Sequence, residues 1–280
     1  MLNRKLITFN SRTNHSRDVG INLNNMKVFS KTYINLVIIV IFIFSSSFSV
    51  NEGYEKIGNQ IWTTKNLAVD KFRNGEKIIE SKSKEDWYKA SYKGEPTWCY
   101  YMFDEKYSHL GKLYNYFAVS SHKNIAPVGW KVPTYFDYFE LIKYLDPLIS
   151  HEYLNGNGSL AGGSLKIKNT QYWEEKNCKQ IDSKFNAIPS GGYSPSLSYP
   201  KYDWDKYGEV TRFWCITDWR KIIDAGDFDD KDRILKKLKD GRFDDKAIVL
   251  RLSKNDCEIS MDDDPKIYGY SLRLIKMISN

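Results

Sequence analysis

The sequence predicts an α+β fold with an antiparallel sheet, few short helices and long irregular loops. Three observations predict it. Aromatic residues make up 15% of the 280-residue chain, with twenty Tyr and eight Trp, and such side chains combine large buried area with polar handles that suit an irregular, strand-rich core. The apolar runs are short and broken by Gly, Pro and Asn, which is the spacing of strands and turns. The clearest helical signature is confined to one stretch. There Thr134 stands as N-cap, Asp137 follows three residues on, Tyr138, Ile142 and Leu145 recur at helical spacing, and Pro147 ends the run.

Tyr54 to Trp62 holds two apolar runs around Gly58-Asn59-Gln60 and reads as a hairpin. Lys84 to Tyr92 is helix-compatible until Gly94 and Pro96 break it, and Thr97 to Phe103 reads as an aromatic strand. Asn155 to Gly163 is a Gly-rich connection, lacking the preceding strand and following Lys of a phosphate cradle. Arg212 to Thr217, Ala247 to Leu252 and Tyr268 to Lys276 read as three strands of one antiparallel sheet. Between the first two, the charged residues 220–245 read as a surface insertion with a short amphipathic helix carrying Ile234, Leu235 and Leu238. No repeat and no Pro/Gly/Ser-rich linker divides residues 50–280, so a single domain is expected there.

Residues 1–49 are expected to be an N-terminal extension plus a signal peptide. The run Ile34 to Phe44, interrupted at Asn35, follows Lys27 and Lys31 and precedes Ser45, Ser46, Ser47, Phe48 and Ser49. A basic, apolar, then small order is that of a cleavable leader, and the run is shorter than the roughly 20 residues that span a bilayer. Cleavage is expected after Ser49 or Ser47. Met26 is the expected start, because residues 1–25 are too long a polar preface. The alternative is an uncleaved anchor formed by residues 34–44. On the cleaved reading the product is secreted or displayed at the cell surface, and its formal charge falls from +7 to about +2. Its Lys and Arg are interspersed with acids, which excludes the clustered basic stripe that nucleic acid requires. A membrane is met only through the leader or the anchor.

Cys99, Cys178, Cys215 and Cys257 permit two disulfides in three connectivities, and none stands in a CxxC pair of the kind that holds zinc. His109, His122 and His151 have no metal-binding or triad spacing. Asp227 to Asp232 and Met261 to Asp264 offer hard oxygen ligands but lack the Gly and Glu of an EF-hand loop, so they read as solvated acidic turns. No metal and no cofactor is expected. The segment Tyr193 to Tyr207 carries the candidate ligand-binding residues Tyr199, Tyr202, Trp204 and Tyr207 among Pro195, Pro200, Asp203 and Asp205. Rings on a Pro-stiffened loop can stack on sugar faces or anchor a protein partner. The alternative is that they fold down and pack the loop against the domain.

A series of short motifs runs through the chain: Ile57-Gly-Asn-Gln-Ile-Trp62 with Lys65-Asn-Leu67, Phe72-Arg-Asn-Gly75, Gly111-Lys-Leu-Tyr-Asn-Tyr-Phe-Ala-Val119 and Ala126-Pro-Val-Gly-Trp-Lys-Val-Pro133. Gly162-Gly-Ser-Leu-Lys166, Phe185-Asn-Ala-Ile-Pro-Ser-Gly-Gly-Tyr193, Phe213-Trp-Cys-Ile-Thr217 and Gly269-Tyr-Ser-Leu-Arg273 continue it. In this order, from about Tyr54 to Lys276, they resemble the Fibrobacter succinogenes major paralogous domain family of exported bacterial domains. The resemblance implies a mixed fold similar to C-type lectin-like domains and to the formylglycine-generating-enzyme scaffold, with no established activity for the family as a whole. Within the motifs, Trp62, Tyr114, Asn115, Gly129, Trp130, Pro133, Gly191, Gly192, Trp214 and Arg273 read as fold determinants. The family often carries a Cys before the Gly-Trp motif and another in the final strand, where this chain has Ile125 and Leu274. The function expected is that of an exported, non-catalytic binding or adhesion module for glycan or protein at the cell surface. The alternative is a hydrolase or oxidase on the enzyme-like scaffold, with acids such as Asp104 and Asp218 in play. Cys215 and Cys257 lack that enzyme's motif context, so no catalytic residue carries over.

Overall fold

Gly58, at a φ of 60°, and Asn59 turn the chain back on itself, so β1 (Tyr54–Ile57) pairs antiparallel with β2 (Gln60–Thr63) as the hairpin reading predicts. The structure, a computed structural model, describes residues 53–149, 159–168, 172–173, 181–195, 203–225 and 231–277. After the hairpin come β3 (Ile79–Glu80), α1 (Lys84–Ser91), β4 (Thr97–Cys99), two 3-10 turns, β5 (Leu113–Tyr114), α2 (Tyr116–Val119) and β6 (Trp130–Lys131). Then follow α3 (Tyr135–Leu145), α4 (Gly162–Leu165), β7 (Gly192–Tyr193), β8 (Trp204–Asp205) and β9 (Val210–Trp214). The last elements are α5 (Trp219–Ala225), α6 (Lys231–Lys239), β10 (Lys246–Ser253), β11 (Ile259–Pro265) and β12 (Ile275–Lys276).

Small sheets, ordered β1-β2-β12-β6, β11-β10-β9, β3-β4-β5 and β7-β8, combine with these helices into a mixed α+β architecture. They are antiparallel except for the β3–β4 pair. α3 begins as its sequence requires. The Thr134 side chain accepts from the Asp137 N–H while the Asp137 carboxylate accepts from the Thr134 N–H, a complete capping box.

Several expectations are corrected. The third strand of the β9–β10 sheet is β11, which contains Met261 to Asp264, and not Tyr268 to Lys276. Those acids do not form a turn: Ile259 and Met261 point alternately into the core and fix the segment as a strand. Tyr268 to Lys276 instead runs between sheets, bridging Tyr193 through Gly269, Tyr114 through Tyr270 and Phe213 through Ser271 before β12 joins β2 and β6. The aromatic strand from Thr97 stops at Cys99, because Met102 and Phe103 adopt φ values of 57° and 56° that no strand accommodates. Gly162 and Gly163 belong to α4 and not to a loop. The charged insertion carries two helices, α5 and α6, where one was expected.

The β9–β10–β11 sheet is buried on both faces over part of its area. On one face Phe213, Ile248, Leu250, Leu252, Ile259 and Met261 join Trp62 and the α3 residues Tyr138, Leu141 and Ile142 in one apolar cluster. Trp62 stacks on Tyr138 at 5.1 Å and meets Phe185 edge-on at 5.7 Å, contacts worth about 0.5–1.5 kcal/mol each beyond their area. On the other face Trp214, Ala247 and Val249 pack with Tyr114, Tyr270 and Leu272 in a second cluster. Ile125 and Leu274 are both buried in that second cluster, so these two positions are filled by apolar core side chains.

Candidate functional site

Alternation along β9 and β10 exposes a difference between the two ends of that second face. Trp214 pairs with Val249, and both are buried; two residues along, Arg212 pairs with Arg251, and beyond them Val210 pairs with Ser253. Both arginines are half-buried. Past the second cluster the sheet therefore presents two guanidinium groups side by side, an arrangement that like-charge repulsion makes unfavourable unless each finds an anion. Arg212 has found its own. It forms an ion pair with Asp205, lies 3.6 Å from Asp264 and covers the Tyr270 ring at 5.3 Å.

Arg251 has not. Its Nε is buried without a hydrogen-bond partner, and among the described residues no carboxylate lies within ion-pairing reach. Arg212 and Arg251 floor a groove of about 470 Å³, walled by Trp204, Glu209, Ser253 and Lys254. This volume falls in the range of roughly 300–1,000 Å³ usual for small-ligand sites. Lys206, at its rim, is held by Glu209.

The Trp204 wall is set by several contacts. β8 pairs with β7, and the neighbouring Asp203, itself buried, receives Lys84 of α1 at 2.6 Å. This carboxylate raises the pKa of Lys84. Gly191 and Gly192 let the strands approach: a Cβ on Gly191 would lie 2.5 Å from the Tyr101 ring and 2.8 Å from the Asp205 carbonyl oxygen, and its φ is +72°. The Trp204 ring lies 4.3 Å from Tyr193 and meets Tyr101 and Phe103 edge-on at 5.1 Å.

Of the aromatic residues proposed from sequence, Tyr199 and Tyr202 lie outside the described residues. Trp204 and Tyr207 are half-buried and pack on a cluster formed by Trp87, Cys99, Tyr101, Leu110, Leu113 and Tyr193, with the Tyr207 N–H donating to the Tyr101 hydroxyl at 3.1 Å. Trp204 packs its loop against that cluster and also lines the groove.

Apart from the half-buried Gly129, the motif residues sit in the core. Trp62 and Trp214 are fully buried, and the Trp214 indole N–H donates to the Tyr114 carbonyl at 2.8 Å. Asn115 caps α2 and saturates its amide against Thr97, Glu95 and Ser91. Trp130 starts β6 against Tyr54, the Pro133 carbonyl accepts from Ile216, and Gly129 has a φ of +83°. Arg273 is enclosed. Its guanidinium donates to Asn66 Oδ1 and to the Thr63, Phe185 and Asn186 carbonyls at 2.8–3.0 Å.

Cys257 is disulfide-bonded, while Cys99 and Cys215 are free and buried. Burial raises both thiols, Cys215 to about 12, which removes the thiolate a nucleophile needs. Cys178 and His151 lie outside the described residues, as do residues 227–230 of the first acidic run. Asp104, bonded to Lys106, and Asp218, which accepts the Lys221 N–H, are exposed carboxylates held below the usual range by these partners. Asp264 is the opposite case: burial raises its pKa against the pull of Arg212. No group of three or more His, Cys, Asp or Glu among the described residues could hold a metal ion, and no helix among them is long and apolar enough to cross a membrane.

Sequence reasoning missed Arg212 and Arg251. A trace of them was present: each is a charged residue inside a strand rich in apolar residues, two positions from a buried Trp or Val.

A family model for the Fibrobacter succinogenes major domain matches residues 56–276, and the chain belongs to that family. No curated protein and no solved structure matches the chain.

Proposed function

We propose that the chain is an exported, non-catalytic binding module on a C-type lectin-like scaffold, acting on a glycan or a protein at the cell surface. The observation that carries this reading is the groove lined by both Trp204 and Arg251, whose buried Nε has no hydrogen-bond partner. A sheet face that ends in an aromatic wall and a guanidinium with an unpaired donor offers a ligand both an apolar surface and a ready hydrogen-bond partner. The leader-like order of residues 26–49 and the disulfide at Cys257 support an oxidising, extracytoplasmic setting. The test is a glycan and surface-polymer binding screen of the full chain, with and without Ca²⁺. Retention of a ligand that is released unaltered is the expected result. Turnover of a retained ligand would overturn the non-catalytic reading in favour of the hydrolase or oxidase alternative, for which the raised pKa of Asp264 is the supporting observation.

A further inference from the structure

The geometry points to an acidic saccharide as the ligand of this groove, with its carboxylate or sulfate held by Arg251 and its ring against Trp204. This inference rests on the binding-module reading and narrows it. The cross-strand Arg251–Arg212 pair sets the sign of the ligand. Asp205 and Asp264 neutralise Arg212 and Glu209 engages Lys206, but Arg251 opens into the same groove with its Nε buried and no acceptor. A planar, forked donor in that position matches a carboxylate or sulfate oxygen pair, and the charge-assisted bonds are strong where water is partly excluded.

The groove also favours a sugar over an extended peptide. A peptide held by strand addition needs free backbone groups, and two carbonyls of the groove lining are already engaged: that of Val210 accepts from the Gly191 N–H at 2.9 Å, and that of Glu209 from the Lys254 N–H at 2.6 Å. What remains is side-chain chemistry. The Ser253 hydroxyl stands on the Arg251 face of β10, and Trp204 offers an aromatic surface to a sugar ring.

The experiment is calorimetric titration of the full chain with a short oligogalacturonate, its methyl-esterified form and a sulfated oligosaccharide, repeated on Arg251→Gln and on Arg220→Gln, an exposed arginine outside the groove. The expected result is binding of the acid, its loss on esterification, and a weakening of roughly tenfold or more in Arg251→Gln alone, weaker still at high salt. The sulfated arm distinguishes the two anions: equal binding makes charge the requirement, and carboxylate-only binding makes the shape of the carboxylate the requirement. Acid binding unaffected by Arg251→Gln would overturn the site while leaving the binding module standing. Equal binding of the ester would overturn the anionic ligand and leave the binding reading intact. Failure of all three saccharides, with a protein partner bound instead, would overturn the saccharide but not the module. Failure of every surface polymer and protein would overturn both.

Discussion

Arg273 and Arg251 are the same side chain in two environments. Arg273 is sealed in the core, where burial lowers its pKa to about 9, leaving it a cation at neutral pH. Among the described residues no carboxylate pairs with it. Four oxygens aim at it, and two of them come from residues 185–186, where the left-handed backbone of Asn186 (φ 54°) turns consecutive carbonyls inward. Arg251 is only half-buried yet has fewer partners than the enclosed arginine. A buried cation whose three nitrogens all donate organises the fold, since it joins residues 63–66, residues 185–186 and its own segment, which are distant from one another in sequence. A less buried cation left unsatisfied contributes nothing of that kind.

The largest expected effect is on the Arg273 side of the comparison. Arg273→Met should lower stability by about 3–5 kcal/mol in denaturant melts, because it strands several buried acceptors at roughly 1–3 kcal/mol each. Arg273→Lys should recover little, since a point charge cannot reach acceptors spread around a planar fork. A loss under 1 kcal/mol would show that these hydrogen bonds do not hold the segments together. Trp214→Ala should come next at about 3–5 kcal/mol, with Trp130→Ala at the lower end of that range because Trp130 lies at the margin of its sheet against Tyr54.

The core half of this comparison was legible in the sequence, and the groove half largely was not. Arg273, Asn115 and the tryptophans stand in motifs whose residues serve the local fold, and the α3 cap was readable because its donors and acceptors are three residues apart. The groove is assembled from β8, β9 and β10, whose register no local pattern encodes. The error over β11 has the same origin. Its run of acids obscured the alternation of Ile259 and Met261, and long-range pairing with β10 overrode the composition. Aromatic residues crowding its loop drew attention to Trp204, but its seat against Tyr193 and Phe103 at the edge of the groove depends on contacts that only the fold brings near.

Trp204 lies between the two extremes and should behave so. Trp204→Ala should cost about 1–3 kcal/mol, less than a fully enclosed ring, while abolishing ligand retention. Thermal melts together with the binding screen check both effects, and a melt as large as that of Trp214→Ala would make the ring structural alone. The Lys84–Asp203 ion pair behind it sets a pH dependence. Lys84 has a raised folded pKa, so its contribution is present in full below the ordinary lysine value of 10.5 and is lost only as pH rises through the raised value. The stability of the wild type and of Lys84→Met should therefore differ by a constant amount across neutral pH and converge only in strong alkali. Convergence near neutrality would remove this pair from the support of the groove wall.

The smallest expected effect is the sharpest test of the contrast. Arg251→Gln should change stability by no more than about 0.5 kcal/mol, and in the stabilising direction if in either. The substitution removes a guanidinium directly opposite Arg212 and so relieves like-charge repulsion, while no described carboxylate loses a partner. The glutamine keeps much of the side-chain stem that packs along the strand, so a fall in stability would have to come from a contact made by the charge itself. Urea melts of the two proteins at low and high salt separate these contributions. A gain at low salt that fades as salt screens the Arg212–Arg251 repulsion is the expected pattern. A loss of 2 kcal/mol or more, comparable to breaking a satisfied buried pair, would mean that Arg251 serves the fold as Arg273 does, and the contrast on which the groove rests would fail.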